Sequence, residues 1–513
     1  MAQVLSTPGV YVEEKSAFAS SAVPVATAIP AFIGFTEKAK RGSKSLLNVP
    51  TRITSLGEYH NFFGKGAQAK FNIAENEESG YTLEIDKATA FSLYNSLKLF
   101  FNNGGSTCYI VSIGSYSSEV GLAAFTGEES GGGLQSLLKE PEPTLLLSPD
   151  AVLLSEEDFN SFQQLMLMHC GNEMKNRMAI LDVYNGDQTR TMDDEDIITK
   201  FREAIGTNFL DYGTAYYPWL NTTITKASEL DYRSIANLDG LIAMLTKDVD
   251  AQVSSGKIDE SRGNAIKEEI AKATADSENI KNVDNTLLAI SPLYKQIIAD
   301  VRKARNVMPP SGAMAGVFSM VDNSVGIQKA PANVSLGSVV SPTVNITSRI
   351  QEDLNLPLNG KAVNAIRSFP GKGVLVWGAR TLDGNSQDWR YVNVRRTLIF
   401  IEQTIKYAAE RYVFEPNIAM TWVKVSSTIT GALYNAWRDG VLAGNTAQEA
   451  FKVDVGLGST MTQQDILDGV MRVSVKVAIS RPAEFIVITF QQQMAGGEGG
   501  GEDEGGEGEE GGE

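Results

Sequence analysis

Ile29-Pro30-Ala31-Phe32-Ile33-Gly34-Phe35 is an uninterrupted apolar run, the pattern of a strand covered on both faces. Cys108-Tyr109-Ile110-Val111-Ser112-Ile113 repeats it, and between the two Phe91, Leu93, Tyr94, Leu97, Leu99 and Phe100 fit a buried helix over 91–101. Strand, helix and strand make an α/β unit. The alternation continues with a strand at 144–147, a helix over 156–170, a strand at 178–183, a helix near 195–205 and a strand at 214–219.

Outward from this unit the pattern changes. Toward the N-terminus, Thr7-Pro8-Gly9 predicts a turn and Val10-Tyr11-Val12 a short β run. Residues 17–28 are too poor in large apolar side chains to fold alone, so 1–28 reads as an arm. Residues 227–305 read as helical and strongly polar, most of all over 258–275, which predicts a peripheral, solvent-facing helical insertion. A strand follows at 374–377. Then come a helix over 394–414 with Leu398, Ile401, Ile405, Ala408 and Tyr412 on one face, and a helix over 417–438 with Trp422, Val425, Ile429, Leu433 and Trp437, between Pro416 and Gly440.

Two strands close the chain. The first, 472–479, alternates Val473, Val475, Val477 and Ile479; the second is Glu484-Phe485-Ile486-Val487-Ile488-Thr489-Phe490, beyond Pro482. From Phe485 on, the second is uncharged and strongly β-prone, an aggregation hazard unless paired. It is either a terminal strand of its own sheet or, with Val10–Val12, an arm that augments a neighbour's sheet. Pattern alone leaves both open.

Composition excludes several classes of partner. The 513 residues carry 45 basic and 62 acidic side chains, a net −17, which argues against nucleic acid or an anionic membrane surface. Eight of the acidic residues lie in 495–513 with ten glycines and no basic residue, so the rest of the chain is near −9 and the tail is expected to be disordered and solvated. Length predicts three or four domains. Two cysteines make neither a disulfide framework nor a four-cysteine zinc site, which points to a reducing compartment. The opening MAQVLSTPGVYVEEK has neither basic n-region nor apolar h-region, and no run approaches 18 apolar residues, so neither export by a signal peptide nor membrane insertion is expected.

Reactive chemistry is not spelled out. His169, within Leu165-Met166-Leu167-Met168-His169-Cys170, reads as a core histidine, and His60, within Glu58-Tyr59-His60-Asn61, as a helix-surface residue. HExxH, GxSxG, CxxC and a complete Walker A loop are all missing from the sequence. Gly64-Lys65-Gly66 and Gly371-Lys372-Gly373 read as turns. No catalytic, cofactor-binding or metal-ligating residue is assigned and no cofactor is expected; scattered carboxylates leave a carboxylate-dependent enzyme as the remote alternative.

Ordered words at both ends carry a resemblance. They are Thr7-Pro8-Gly9-Val10-Tyr11-Val12-Glu13-Glu14; Ala28-Ile29-Pro30-Ala31-Phe32-Ile33-Gly34; Pro309-Pro310-Ser311-Gly312-Ala313 with Ala315-Gly316; and Lys329-Ala330-Pro331-Ala332-Asn333. Further on stand Val376-Trp377-Gly378-Ala379-Arg380-Thr381-Leu382, Tyr391-Val392-Asn393-Val394-Arg395-Arg396, Glu415-Pro416-Asn417 and Arg481-Pro482-Ala483-Glu484-Phe485-Ile486. On these words, over roughly 5–40 and 305–492, the chain resembles the contractile tail sheath proteins of phage tails, R-type bacteriocins and extracellular contractile injection systems. The stretch 120–305 matches loosely, and the acidic glycine tail departs from the usual sheath ending.

The resemblance implies a structural subunit, not an enzyme, that polymerises helically around an inner tube. Contraction from a metastable extended state would drive the tube through a target envelope. The implied fold is multidomain α/β (α+β). It comprises a linking arm, 1–28; the first part of an α/β sheath domain, 29–120; a variable outer α/β domain, 121–340, with a helical insertion at about 225–305; a C-terminal inner sheath domain, 341–494; and the tail, 495–513. The inner domain would hold a mixed sheet flanked by helices and completed by strands from neighbouring subunits.

The donated strands map onto Gly9, Val10, Tyr11, Val12 and Glu13 and onto Glu484, Phe485, Ile486, Val487, Ile488, Thr489 and Phe490, with Ser16–Pro24 as the N-terminal hinge. The accepting strand carries Val473, Val475, Val477 and Ile479. Contact with the tube, which the resemblance places in the C-terminal domain, is assigned to a short helix at Gln463, Gln464, Asp465 and Asp468, whose polar face could equally be ordinary solvated surface. Implied partners are further copies of the chain, an inner tube protein, baseplate and terminal cap proteins and, in mixed sheaths, a second isoform; nucleic acid and direct membrane insertion are not among them. Assembly is expected in the bacterial cytoplasm, followed by life in a released or membrane-anchored particle or a virion tail. The opening through Thr36-Glu37-Lys38-Ala39 favours the injection particle, with the phage virion as alternative.

Overall fold

The 29–35 run forms strand β1, Pro30–Thr36, buried at every position. Its side chains divide by the period of two: Ala31, Ile33 and Phe35 enter one apolar core and Phe32 enters another on the opposite face. The computed structural model describes residues 26–128, 130–275 and 279–485. The expected donor strand at 9–13, positions 486–490 of the second one and the 495–513 tail lie outside the described residues.

Eight further strands join β1 in one sheet: β2 (Thr51–Ile53), β3 (Cys108–Ser115), β4 (Leu145–Leu147), β5 (Met178–Asp182), β6 (Gly213–Tyr217), β7 (Val334–Ser335), β8 (Asn364–Phe369) and β9 (Gly373–Val376). Their order is β7-β9-β8-β6-β5-β4-β1-β3-β2. The six from β8 to β3 run parallel, with Phe32 opposite both Ile110 and Leu147; β2, β7 and β9 pair antiparallel at the edges. Helices cover both faces, as parallel strands require. Helix α2 (Glu156–Met168) brings Phe159, Phe162 and Met166 to one core; α1 (Leu93–Asn102) and α3 (Ser311–Ser324) bring Leu97, Phe100, Met314 and Phe318 to the other. Each such side chain contributes roughly 1.5–3 kcal/mol by leaving water.

Asp150 ties β1 to α1. It is fully buried and accepts from the Phe35 amide (2.9 Å) and from the Ser92 and Leu93 amides (2.6 and 2.8 Å). Gly34 permits that approach, since a Cβ there would lie 2.6 Å from the Asp150 Oδ2.

The sheet takes strands from all three segments, 29–120, 121–340 and 341–494. The helical stretch departs from its solvent-facing reading. Four helices, Leu238–Ser254, Glu260–Ile270, Ile280–Ile290 and Pro292–Arg305, enclose their own core of Leu241, Leu245, Ile270, Leu287, Tyr294 and Val301. The missing apolar surface comes from a hairpin far upstream, Phe71–Asn76 with Gly80–Ile85, whose Phe71 and Ile73 complete the cluster. Asn237 fastens it, accepting from the Ile73 amide (2.9 Å) and donating to the Ile73 carbonyl (2.7 Å). The chain divides at Arg481, and beyond it Pro482–Phe485 carry no regular secondary structure.

Candidate functional site

The apolar stripes read at 394–414 and 417–438 form α4 (Val392–Glu410) and α5 (Ala419–Arg438). Ile401 of α4 and Val425, Ile429 and Leu433 of α5 make a small core. A hairpin of β10 (Phe451–Val455) and β11 (Val473–Val477) lies on it. Phe451 stands opposite Val477, Val453 opposite Val475 and Val455 opposite Val473, and all but Val455 pack against the helical core. Lys452 stands opposite Lys476, both exposed, and its Nζ meets Asp454 at 3.1 Å.

Among the described residues this sheet has two strands, so each has one edge with no strand beside it. An edge is a row of backbone donors and acceptors, and two strands are fewer than a freestanding sheet requires. Val473, Val475 and Val477 are half-buried; Ile479, expected within the strand, lies past its end and bridges Leu442. Glu484 and Phe485 are described without strand structure.

Gln463 and Gln464 begin a short exposed helix, α6 (Gln463–Leu467). Asp465 is committed there. Its Oδ2 accepts from the Thr462 amide (2.8 Å) and hydroxyl (2.7 Å), and its Oδ1 from Arg472 Nε (3.0 Å). These bonds, the Thr462 amide first, hold its carboxyl down at about 2. Asp468 accepts from Gln464 Nε2 at 2.9 Å.

The histidines fall where their surroundings predicted. His60 is exposed on the helix Leu56–Phe63, with Nε2 2.9 Å from the Tyr94 hydroxyl. His169 is buried, and loss of water together with the Arg177 guanidinium pushes it down to about 3. Burial pushes Asp182 up to about 7, against bonds from the Ser311 amide (2.9 Å) and hydroxyl (2.6 Å). Among the described residues no group of three or more His, Cys, Asp or Glu is arranged to hold a metal ion, and no helix is long and apolar enough to cross a membrane.

Two features escaped the sequence reading. One is an exposed apolar group where α4 meets α5: Val413, Phe414, Ile418, Met420 and Val423. The other is the turn of α4 bearing Asn393 and Arg396, polar side chains that are 1% and 3% exposed. Asn393 Nδ2 donates to the Gln328 carbonyl (2.8 Å) and the Ser480 carbonyl (3.3 Å). Arg396 forks onto Asp322 (2.9 and 2.6 Å) and donates to the Thr27 carbonyl (2.8 Å). The signal was the word at 391–396, read only as a likeness.

Known proteins bear on this arrangement. Residues 246–382 match the phage tail sheath protein central domain, and 385–493 match the phage tail sheath C-terminal domain. The chain is similar to one in the cryo-EM structure of the anti-feeding prophage baseplate (29% identity, 96% of this chain and 100% of that one, TM-score 0.58). It is similar to one in the anti-feeding prophage helical sheath in its contracted state (28%, 96% and 100%, 0.59). A third likeness is to the PVC sheath complex of an extracellular contractile injection system, also contracted (28%, 96% and 99%, 0.57). No curated protein matches the chain.

Proposed function

Since the chain belongs to the contractile tail sheath protein family and is a subunit of a contractile sheath, we propose that its two arms complete the hairpin sheets of neighbouring copies. The observation that carries this is the β10–β11 hairpin, a two-stranded sheet with no strand on either outer edge among the described residues. A strand from Val10–Glu13 of one neighbour and one from Glu484–Phe490 of another would fill them. Donor and acceptor are different surfaces, so the contact does not close on itself and builds a helix. Each net backbone hydrogen bond contributes about 0.5–1.5 kcal/mol, modest per arm but large over a lattice.

The sheath surrounds an inner tube and stands on a baseplate; the likeness to anti-feeding prophage baseplate and sheath chains supports the baseplate contact. A terminal cap and, in mixed sheaths, a second isoform complete the partners. Gln463, Gln464 and Asp468 face the tube, while Asp465 serves to cap α6. Contraction draws on a packing difference stored at assembly, with paired arms as hinges and no nucleotide consumed. The subunit is structural and does no catalysis. The likeness to an injection-system sheath favours an injection particle over a phage virion.

Electron microscopy of the chain expressed alone, beside one lacking residues 1–25, tests the proposal. Tubes from the full chain and soluble monomers from the truncation are the expected result. Tubes from both would refute strand exchange through the N-terminal arm, and monomers from both, even with an inner tube protein added, would refute self-assembly.

A further inference from the structure

We propose that one turn of α4, carrying Asn393 and Arg396, is the common anchor of both arms and the point at which load crosses the subunit. This rests on reading the two chain ends as linking arms.

Residues three apart on a helix share a face. Here that face grips main chain from both ends of the folded body. Arg396 donates to the Thr27 carbonyl, at the root of the N-terminal arm, and Asn393 to the Ser480 carbonyl, two residues before Pro482. These partners lie 369 and 87 positions away in sequence. Both exits therefore sit within a side-chain length of one turn.

Each grip is braced. Arg396 is held by its fork on Asp322, itself buried, and lies 4.8 Å over the Phe318 ring. The Thr27 carbonyl takes a second bond from the Thr144 hydroxyl (2.8 Å), whose oxygen accepts from the Ile29 amide (3.0 Å). Asn393 spends its other donor on Gln328, after α3.

The chemistry suits a fixed point in a moving lattice. Side chains that hold carbonyls at the roots leave the arms beyond them free to change direction, whereas a strand pairing there would dictate their course. Tension entering by one arm leaves by the other through a single rigid turn and bypasses the nine-stranded sheet. A lysine at 396 would keep the charge facing Asp322 but lose the planar fork that also reaches Thr27.

Spin labels on cysteines introduced at Ala26 and Arg481, both exposed, report the separation of the two roots by pulsed electron resonance in the full chain. The native Cys108 and Cys170 are buried, and Arg481 gives up only an exposed pairing with Asp388. The expected distance distribution is narrow in the otherwise native chain and about twofold broader in Arg396→Lys and in Asn393→Ala, as local opening of a root requires. A role in packing alone would lower the melting temperature without broadening. Folded variants with unchanged width overturn the proposal, and so does a broad distribution in the native background, which needs no variant to fold. The labels are read on monomers, so the anchor is judged even if microscopy shows no tubes and the strand-exchange reading fails.

Discussion

The nine-stranded sheet and the β10–β11 hairpin are built from similar side chains to opposite ends. In β1, β5 and β6 every residue is buried, and helices close both faces. In β10 and β11 no residue is fully buried, one face bears exposed lysines and, among the described residues, no strand lies along either outer edge. The first region satisfies itself within one chain; the second has edge backbone groups and half-covered valines that, under the strand-exchange proposal, other chains would complete. Under that proposal, stability of the subunit and stability of the polymer belong to different places.

The sharpest test sets a large substitution in each region side by side. Phe32→Ala removes a fully buried ring that meets Phe100 edge-on at 5.5 Å. It is expected to cost the monomer about 3–5 kcal/mol in denaturant unfolding. Val475→Ala, half-buried, is expected to cost the monomer about 1 kcal/mol yet to raise markedly the concentration at which tubes form, read by sedimentation. Equal monomer losses would break the contrast.

A second effect belongs to the sheet region alone. The neutral His169 fits its site: Nδ1 lies 3.1 Å from Glu173 Oε2, which it serves as donor, and Nε2 accepts from Arg177 Nη1 at 3.3 Å. A proton on Nε2 would face the guanidinium. The folded value therefore lies near 3 against an ordinary 6.5, so the unfolded chain binds a proton first as pH falls. The contribution is complete above pH 6.5 and is lost on the way to 3, by at most about 1.4 kcal/mol per pH unit. Asp182, raised to about 7, works the other way: its protonation favours the fold as pH drops from 7 toward 3.8. Unfolding of His169→Gln beside the native chain separates the two. The difference in stability is expected to shrink with acid only below pH 6.5, and a constant difference would remove His169 from the account.

The same contrast governed what could be read ahead of the structure. Strands at 29–35, 108–113 and 178–183 announce themselves because burial on both faces demands unbroken apolar sequence. Helix ends fell close to their signals, as at α5, Ala419–Arg438, which lies between Pro416 and Gly440. The helices between 238 and 305 misled because their core is finished by Phe71 and Ile73, and pairing over that distance leaves no local trace. In the hairpin, the alternating valines of β11 were legible, but β10, Phe-Lys-Val-Asp-Val, mixes charge into five residues and was missed. Asn393 and Arg396 look like ordinary polar positions in an amphipathic helix, since the Ser480 and Thr27 groups they hold are main-chain carbonyls that no side-chain pattern encodes.

The smallest expected effect lies at the rim of the open region, on α6. Thr462→Ala removes the hydroxyl that donates to Asp465 Oδ2 and accepts from the Asp465 amide, leaving the Thr462 amide and Arg472 as its remaining partners. With one of three supports gone, the Asp465 carboxyl is expected to titrate above its present value of about 2 but short of 3.8, read by NMR. Helix α6 has five residues and none of them is buried, so unfolding of the whole subunit should not register the change. Assembly around an inner tube should register it, because a frayed α6 presents Gln463, Gln464 and Asp468 in no fixed geometry. A normal yield of sheathed tubes from a variant whose Asp465 has shifted would move the tube contact elsewhere on the C-terminal region. The exposed Phe414 and Met420 would then be the next residues to change.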